Sequence, residues 1–268
     1  MSTLFVKHNF GFFSCCSVRL NEIVDYLNKN KECPGIVDTS EQFKWYKPEG
    51  EIRDITYDYF NKDLEDNLVV PFTGFVDYIH QYQFIDYKKI DYNSIIPLLK
   101  KYFTPSLQIQ EIINNMEKKY NLEKQYENIC VLFHRGNDKV TETMICPYEH
   151  TFYNARLIKK KNPKIRFLIQ SDETEFIQKA LEQFPGSIVF NDEIRHMNKN
   201  ESRTVDFDVR DNIFEFSKKY LAITIIMSKC KYIICGSGNC SIWIMLYRGN
   251  ANNIIQYLNG KMLINCEV

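Results

Sequence analysis

The chain lacks a net charge. Its 268 residues carry 34 Lys and Arg against 34 Asp and Glu, so no overall field draws it toward a polyanion, and nucleic acid is not an expected partner. It also lacks any apolar run near the ~18 residues that a membrane span requires. The opening Met1-Ser2-Thr3-Leu4-Phe5-Val6-Lys7-His8 has no charged segment leading into a long apolar one, so no secretory leader is expected. Among nine cysteines there is no Cys-Xaa-Xaa-Cys pair and no Cys/His grouping with zinc-site spacing. Cys130 and Cys235 sit inside apolar runs, where a thiol packs as a small hydrophobe. A reducing, cytoplasmic setting is the expectation, with Asn200 and Asn239 of the two Asn-Xaa-Ser sequences left unmodified. Also missing are Gly-Xaa-Gly-Xaa-Xaa-Gly, a Walker lysine and a Gly-Xaa-Ser-Xaa-Gly elbow. Their absence argues against a dinucleotide fingerprint, a P-loop and a serine hydrolase.

What is present is a foldable chain, 44% hydrophobic and 25% charged, long enough for one large α/β domain or two small ones. Its second half alternates. Apolar, β-branched runs at 129–133, 165–169, 187–190, 232–235 and 253–256 predict buried strands. Helical stretches fall between them, at about 148–161, 174–184, 212–228 and 241–247. Strand–helix repetition at this spacing predicts a Rossmann-like parallel sheet covered on both faces. The first half is less regular, with a strand at 4–6, helices near 18–28, 93–102 and 107–120, and a strand at 69–72. Residues 40–66 read as a long surface excursion rich in charge and aromatics. A boundary near 125 divides an irregular α/β domain, 1–125, from a Rossmann-like domain, 126–268.

Two loops could carry chemistry. Phe133-His134-Arg135-Gly136-Asn137-Asp138-Lys139-Val140 follows the 129–133 strand, and open parallel sheets bind ligands outside the carboxyl ends of their strands. Arg grips a diphosphate with a planar fork, Lys adds a point charge, and Gly136 permits a tight turn or close approach. The same residues would also make a solvated, self-paired charged loop. Cys235-Gly236-Ser237-Gly238-Asn239-Cys240-Ser241 lies between a strand and a helix, where small residues free backbone N–H groups for an anion. Two phosphate-suited loops at strand ends of one sheet favour a nucleotide or nucleotide-sugar site.

The stretch from His134 to Glu142 resembles the His-Xaa-Arg-Arg-Xaa-Asp-Lys segment of GT-B fucosyltransferases, the α1,6 group most closely and the α1,2 group more loosely. Phe167-Leu168-Ile169-Gln170-Ser171-Asp172-Glu173 is similar to that family's strand ending in an acidic pair. Met227 to Asn239 follows its order of helix end, buried strand and small-residue turn. The resemblance spans about residues 128–250. It implies an inverting, metal-independent transfer of a sugar, fucose first, from a nucleotide-diphosphate donor to a glycan or glycoprotein acceptor. It implies no cofactor beyond that co-substrate, with a GDP-sugar favoured and UDP-xylose or GDP-mannose as alternatives. A nucleotide- or carbohydrate-binding protein without catalysis is the rival expectation.

Carried over position by position, the resemblance places Arg135 on the arginine that contacts the β-phosphate and Lys139 on a lysine near the leaving group. Glu142 falls beside the catalytic carboxylate, and Asn239 on a phosphate-binding serine. Donor contacts are then expected from His134, Arg135, Asp138, Asp172, Gly236, Ser237, Gly238 and Asn239, and catalysis from Glu142, Lys139 and Arg135. The family's second arginine is Gly136 here, and its histidine position is taken by Phe133. Its base-reading aspartate falls near Ile223.

Weaker candidates are Asp206-Phe207-Asp208, a short match to a metal-diphosphate pattern, and Asp192, Glu193, Arg195 and His196 beside the cleft. His8 and His150 show no convincing partners. Phe43, Trp45, Tyr46, Tyr57, Tyr59 and Phe60 read as local packing in preference to sugar stacking.

Overall fold

A computed structural model describes residues 2–62, 76–79, 81–191, 196–207 and 212–266. The expected strand at 69–72 and the candidates Asp192, Glu193, Arg195 and Asp208 lie outside the described residues.

The second half builds a five-stranded sheet from β3 (Ile129–His134), β4 (Arg166–Ser171), β5 (Tyr232–Gly236), β6 (Ile254–Leu258) and β7 (Lys261–Asn265), in the order β4-β3-β5-β6-β7. The first four run parallel, and β7 pairs antiparallel with β6. The sheet is therefore mixed, and β7 is an addition to the expected set. Its turn is Asn259-Gly260, both at positive φ (48° and 80°). That dipeptide is the favoured two-residue hairpin signal, since both central residues must take positive φ.

Every residue of β3 is buried, and its side chains alternate between two cores. Ile129, Val131 and Phe133 join one core, whereas Cys130 and Leu132 join the other. The second core is closed by α5 (Tyr148–Lys161) and α6 (Thr174–Gln183), through Phe152, Ala155, Phe176 and Ala180. On the opposite face, the first core takes in α7 (Ile213–Lys229) and α8 (Asn239–Arg248), with Leu221, Ile226 and Trp243 fully buried. Burial on both faces is why these strands read as unbroken apolar runs.

The expected strand at 187–190 makes a single parallel bridge, Ile188 to Leu168, rather than a ladder. Pro185-Gly186 lies just before it, and the run is too short to extend the pairing beyond one residue.

In the first half, β1 (Thr3–Phe5) pairs parallel with β2 (Ile36–Asp38). The helix α1 runs over Phe12–Asn30, six residues earlier than the expected start. Phe12, Phe13, Cys15, Cys16 and Leu20 are buried on several sides, and a helix enclosed all round shows no polar stripe to mark its first turns. Of the expected excursion at 40–66, residues 63–66 lie outside the described residues, and 40–62 is only partly at the surface, with most of 44–53 exposed. It forms a 3₁₀ turn, Lys44–Tyr46, and the short helix α2 (Thr56–Tyr59), with Phe43, Tyr46, Ile55, Tyr59 and Phe60 buried. Helices α3 (Tyr92–Tyr102) and α4 (Leu107–Lys119) complete the half, and α4 packs on α7. The first core is continuous from Val6 to Ile254, so the two halves share apolar packing.

Candidate functional site

The chain leaves β3 to one side into β4 and later returns on the other side as β5. The gap outside their carboxyl ends is thus a topological switch point. The loop after β3 and the turn after β5 both open there onto one cleft of about 500 Å³. Arg135, Asp138, Lys139, Glu142, Ser237, Gly238 and Asn239 line it. The structure brings together most of the predicted site.

Arg135 is held rather than loose. Its Nε lies 3.0 Å from Asp172 Oδ2, its Nη1 donates to the Tyr220 hydroxyl at 3.2 Å, and its Nη2 lies 3.6 Å from Asp138 Oδ1. Burial opposes its charge, yet the carboxylate of Asp172 more than offsets it and holds the guanidinium charged. Lys139 Nζ sits 2.9 Å from Asp138 Oδ2 and also donates to Glu142 Oε1. Both cations face the cleft with carboxylates at their flanks.

His134 and Asp172 lie behind the cleft wall instead of on it. His134 is buried, stacks on Phe176, and has Nε2 3.1 Å from Glu173 Oε2. Tyr148 donates its hydroxyl to the same oxygen. The Asn137 N–H donates to Glu173 Oε1 at 3.2 Å, and the Gly136 N–H to Asp172 Oδ1 at 2.9 Å. Burial pushes the Glu173 carboxyl up, but the hydrogen bonds from His134, Tyr148 and Asn137 prevail and bring it down to about 2. The acidic pair ending β4 is therefore a bracket for the β3 loop. Asn137, at a left-handed φ of 44°, completes it by donating to the Asp172 carbonyl at 2.8 Å and accepting from the Asn200 N–H at 2.8 Å.

The turn after β5 is latched both by the neighbouring strand β6 and by residues of the first half. Ser237 donates its hydroxyl to the Tyr257 carbonyl and accepts from Gln256, so its hydroxyl proton is already engaged. Gly236 is absent from the cleft wall. The buried Tyr87 hydroxyl accepts from the Gly238 N–H at 3.2 Å. Asn239 Oδ1 accepts from Ser17 at 2.8 Å, which leaves its amide NH₂ as the donor. Trp243 in turn donates to Ser17 at 2.9 Å, tying α8 to α1.

Sequence reasoning set aside Trp45, Tyr46 and Asp206 of the opposite wall and gave no weight to the start of α1. Phe10-Gly11-Phe12-Phe13-Ser14 brings the N-terminus of α1 to the cleft, where the Phe12 N–H donates to the Tyr46 hydroxyl at 2.7 Å. Tyr46 donates on to Asp206 Oδ2 at 3.0 Å, so Asp206 belongs to the same cleft. The available signal was a Gly placed before a buried helix start. Two helix N-termini, of α1 and α8, thus open on the cleft, each with backbone donors suited to an anion.

The remaining candidates do not converge. His196 pairs with Thr174 at 2.9 Å, and His150 lies against Tyr257. Ile223 is buried in the core. Among the aromatics expected to pack, Phe43, Tyr46, Tyr59 and Phe60 are buried, whereas Trp45 is exposed at the cleft. Among the described residues no group of three His, Cys, Asp or Glu could hold a metal.

No protein-family model matches the chain, and no curated protein matches it. Its fold does match solved structures. A NodZ alpha-1,6-fucosyltransferase co-crystallized with GDP aligns over 98% of both chains, with a TM-score of 0.58 and 12% identity. The same enzyme soaked with GDP-fucose aligns over 98% of this chain and 99% of its own, with a TM-score of 0.55 and 11% identity. Fucosyltransferase NodZ from Bradyrhizobium gives a TM-score of 0.56 at 12% identity, over 98% of this chain and 99% of its own. The likeness is one of fold, over nearly the whole of both chains.

Proposed function

We propose that this chain is a glycosyltransferase of GT-B type, which moves a sugar from a nucleotide-diphosphate donor to a hydroxyl of a glycan acceptor. One observation carries the reading. Arg135, Lys139 and the Gly238–Asn239 turn, delivered by two adjacent parallel strands, face a single cleft at the switch point. The fold shared with NodZ supports a GDP-linked donor, and fucose as its sugar.

In this reading the donor diphosphate lies between Arg135 and the N-terminus of α8. Arg135, Lys139 and the Asn239 amide stabilise charge that builds on the leaving group. Asp138 and Asp172 aim the guanidinium. Glu142 removes the proton of the attacking acceptor hydroxyl, an in-line displacement that inverts the anomeric carbon without a metal. Lys139 holds that carboxylate in place until the acceptor arrives. The acceptor approaches over the first half, residues 1–125. Nine free cysteines, most of them buried, support a reducing, cytoplasmic setting, with glycans as partners and no nucleic acid.

The test is thermal stabilisation by GDP, UDP, GDP-fucose and UDP-xylose, each with and without Mg²⁺, followed by a transfer assay with the stabilising donor. Selective, metal-independent stabilisation with transfer supports the reading. Stabilisation without transfer to any glycan assigns a binding role instead, and no stabilisation by any of the four removes the nucleotide-sugar site.

A further inference from the structure

The cleft has two chemically different walls. The part contributed after residue 130 holds Arg135, Asp138, Lys139, Glu142 and Asp206. Every described lining residue from the first 84 is uncharged, an assortment of aromatic rings, amides, glycine and serine. A diphosphate belongs on the first wall, which leaves the second without an assigned ligand.

Three rings of that wall, Trp45, Phe10 and Tyr78, are linked by ring contacts, the last two through His8, which lies outside the lining. Trp45 meets Phe10 edge to face with centroids 5.8 Å apart, Phe10 meets His8 at 4.9 Å, and His8 meets Tyr78 at 5.3 Å. Phe10 is 58% exposed and Trp45 43%, in a chain whose other tryptophan, Trp243, is fully buried. Burial lowers the pKa of His8, so this row of rings is uncharged near neutral pH.

We propose that Trp45, Phe10 and Tyr78 form a subsite for a neutral pyranose of the acceptor, the rings taking its C–H face. This rests on the glycosyltransferase reading, and it names the chemistry of the acceptor: an uncharged oligosaccharide, bound on the first-half wall. Trp45 and Phe10 meet edge to face, with 64° between their planes, so they form no parallel slot that would sandwich a flat base. Several rings in a row fit more than one sugar residue.

Trp45 is its own reporter, because Trp243 is enclosed in the core. Intrinsic fluorescence is followed while cellotetraose, chitotetraose, maltotetraose and mannotetraose are added in turn to millimolar levels. GDP stabilisation is measured on the same samples. A saturable Trp45 signal with a neutral oligosaccharide is expected. It should disappear in Trp45→Ala, and affinity should fall by about tenfold in Phe10→Ala, the size of one lost aromatic contact. GDP stabilisation should survive both substitutions. A Trp45 signal produced by GDP, with stabilisation lost in Trp45→Ala, overturns the proposal in favour of a base platform. Silence of Trp45 toward all four sugars, while GDP still stabilises the protein, overturns the subsite and leaves the donor reading standing. Failure of GDP to stabilise the wild type is a failure of the donor reading.

Discussion

A Cβ added at Gly136 would stand 2.0 Å from Oε1 of Glu173 and 2.3 Å from its Cδ. The space beside the β3 loop is already filled by a carboxylate that His134, Tyr148 and the Asn137 N–H hold in place. Gly136 is required for want of room.

Gly136→Ala should therefore force the loop off its bracket. Overpacking of this kind costs about 1–3 kcal/mol, or roughly 2–4 °C of Tm per kcal/mol at this chain length. Nucleotide stabilisation should fall further than the melting point, since Arg135 is the preceding residue. In the double variant Gly136→Ala, Glu173→Ala the loss should be smaller than the sum of the singles, as thermal melts would read. Additive losses would mean that the two residues do not meet.

The Glu173 carboxyl sits at about 2 against an ordinary 4.5, so its ionised form is favoured by folding. A carboxyl depressed in the native state contributes stability in full above pH 4.5, and that contribution drains away as pH falls toward 2. Glu173→Gln should lose part of the acid-induced drop across this window and be less stable than wild type at pH 7. Denaturant melts between pH 2 and pH 7 would show whether the two curves converge toward the acid end.

Arg135→Ala should abolish nucleotide stabilisation, and it should also cost some fold. Asp172, nearly buried, would be left with the Gly136 N–H as its remaining hydrogen-bond donor. Removing one partner of a buried charge pair costs about 3–5 kcal/mol. Arg135→Ala combined with Asp172→Asn should recover much of the melting temperature but none of the nucleotide binding. Recovery of binding in that pair would remove Arg135 from the site.

Asn239→Asp keeps an oxygen for Ser17 to donate to and replaces the cleft-facing NH₂ with negative charge. Melting should change little. Nucleotide affinity should fall by about tenfold or more through like-charge repulsion, and the loss should shrink in high salt. Isothermal titration with GDP at two ionic strengths would test this, and unchanged affinity would place the diphosphate elsewhere.

The sequence by itself determined the sheet and the loops that leave it. Strands buried on both faces must be apolar throughout, so β3, β4, β5 and β6 stand out as short runs, and whatever follows them lies at one end of a parallel sheet. Arg135, Lys139 and Asn239 were legible for that reason. Tertiary structure alone decided what each side chain meets. Contacts such as Ser17 to Asn239 or Gly136 to Glu173 join residues tens or hundreds of positions apart, and no local periodicity records them. It also sorted the aromatics, burying Tyr59 and leaving Trp45 at the cleft, although the two lie in one segment of similar composition. It set His134 and Asp172 behind the cleft wall, and it brought the start of α1 to the same cleft as Arg135. Composition fixes which groups can bind an anion, whereas the packing of one half on the other fixes which of them reach it.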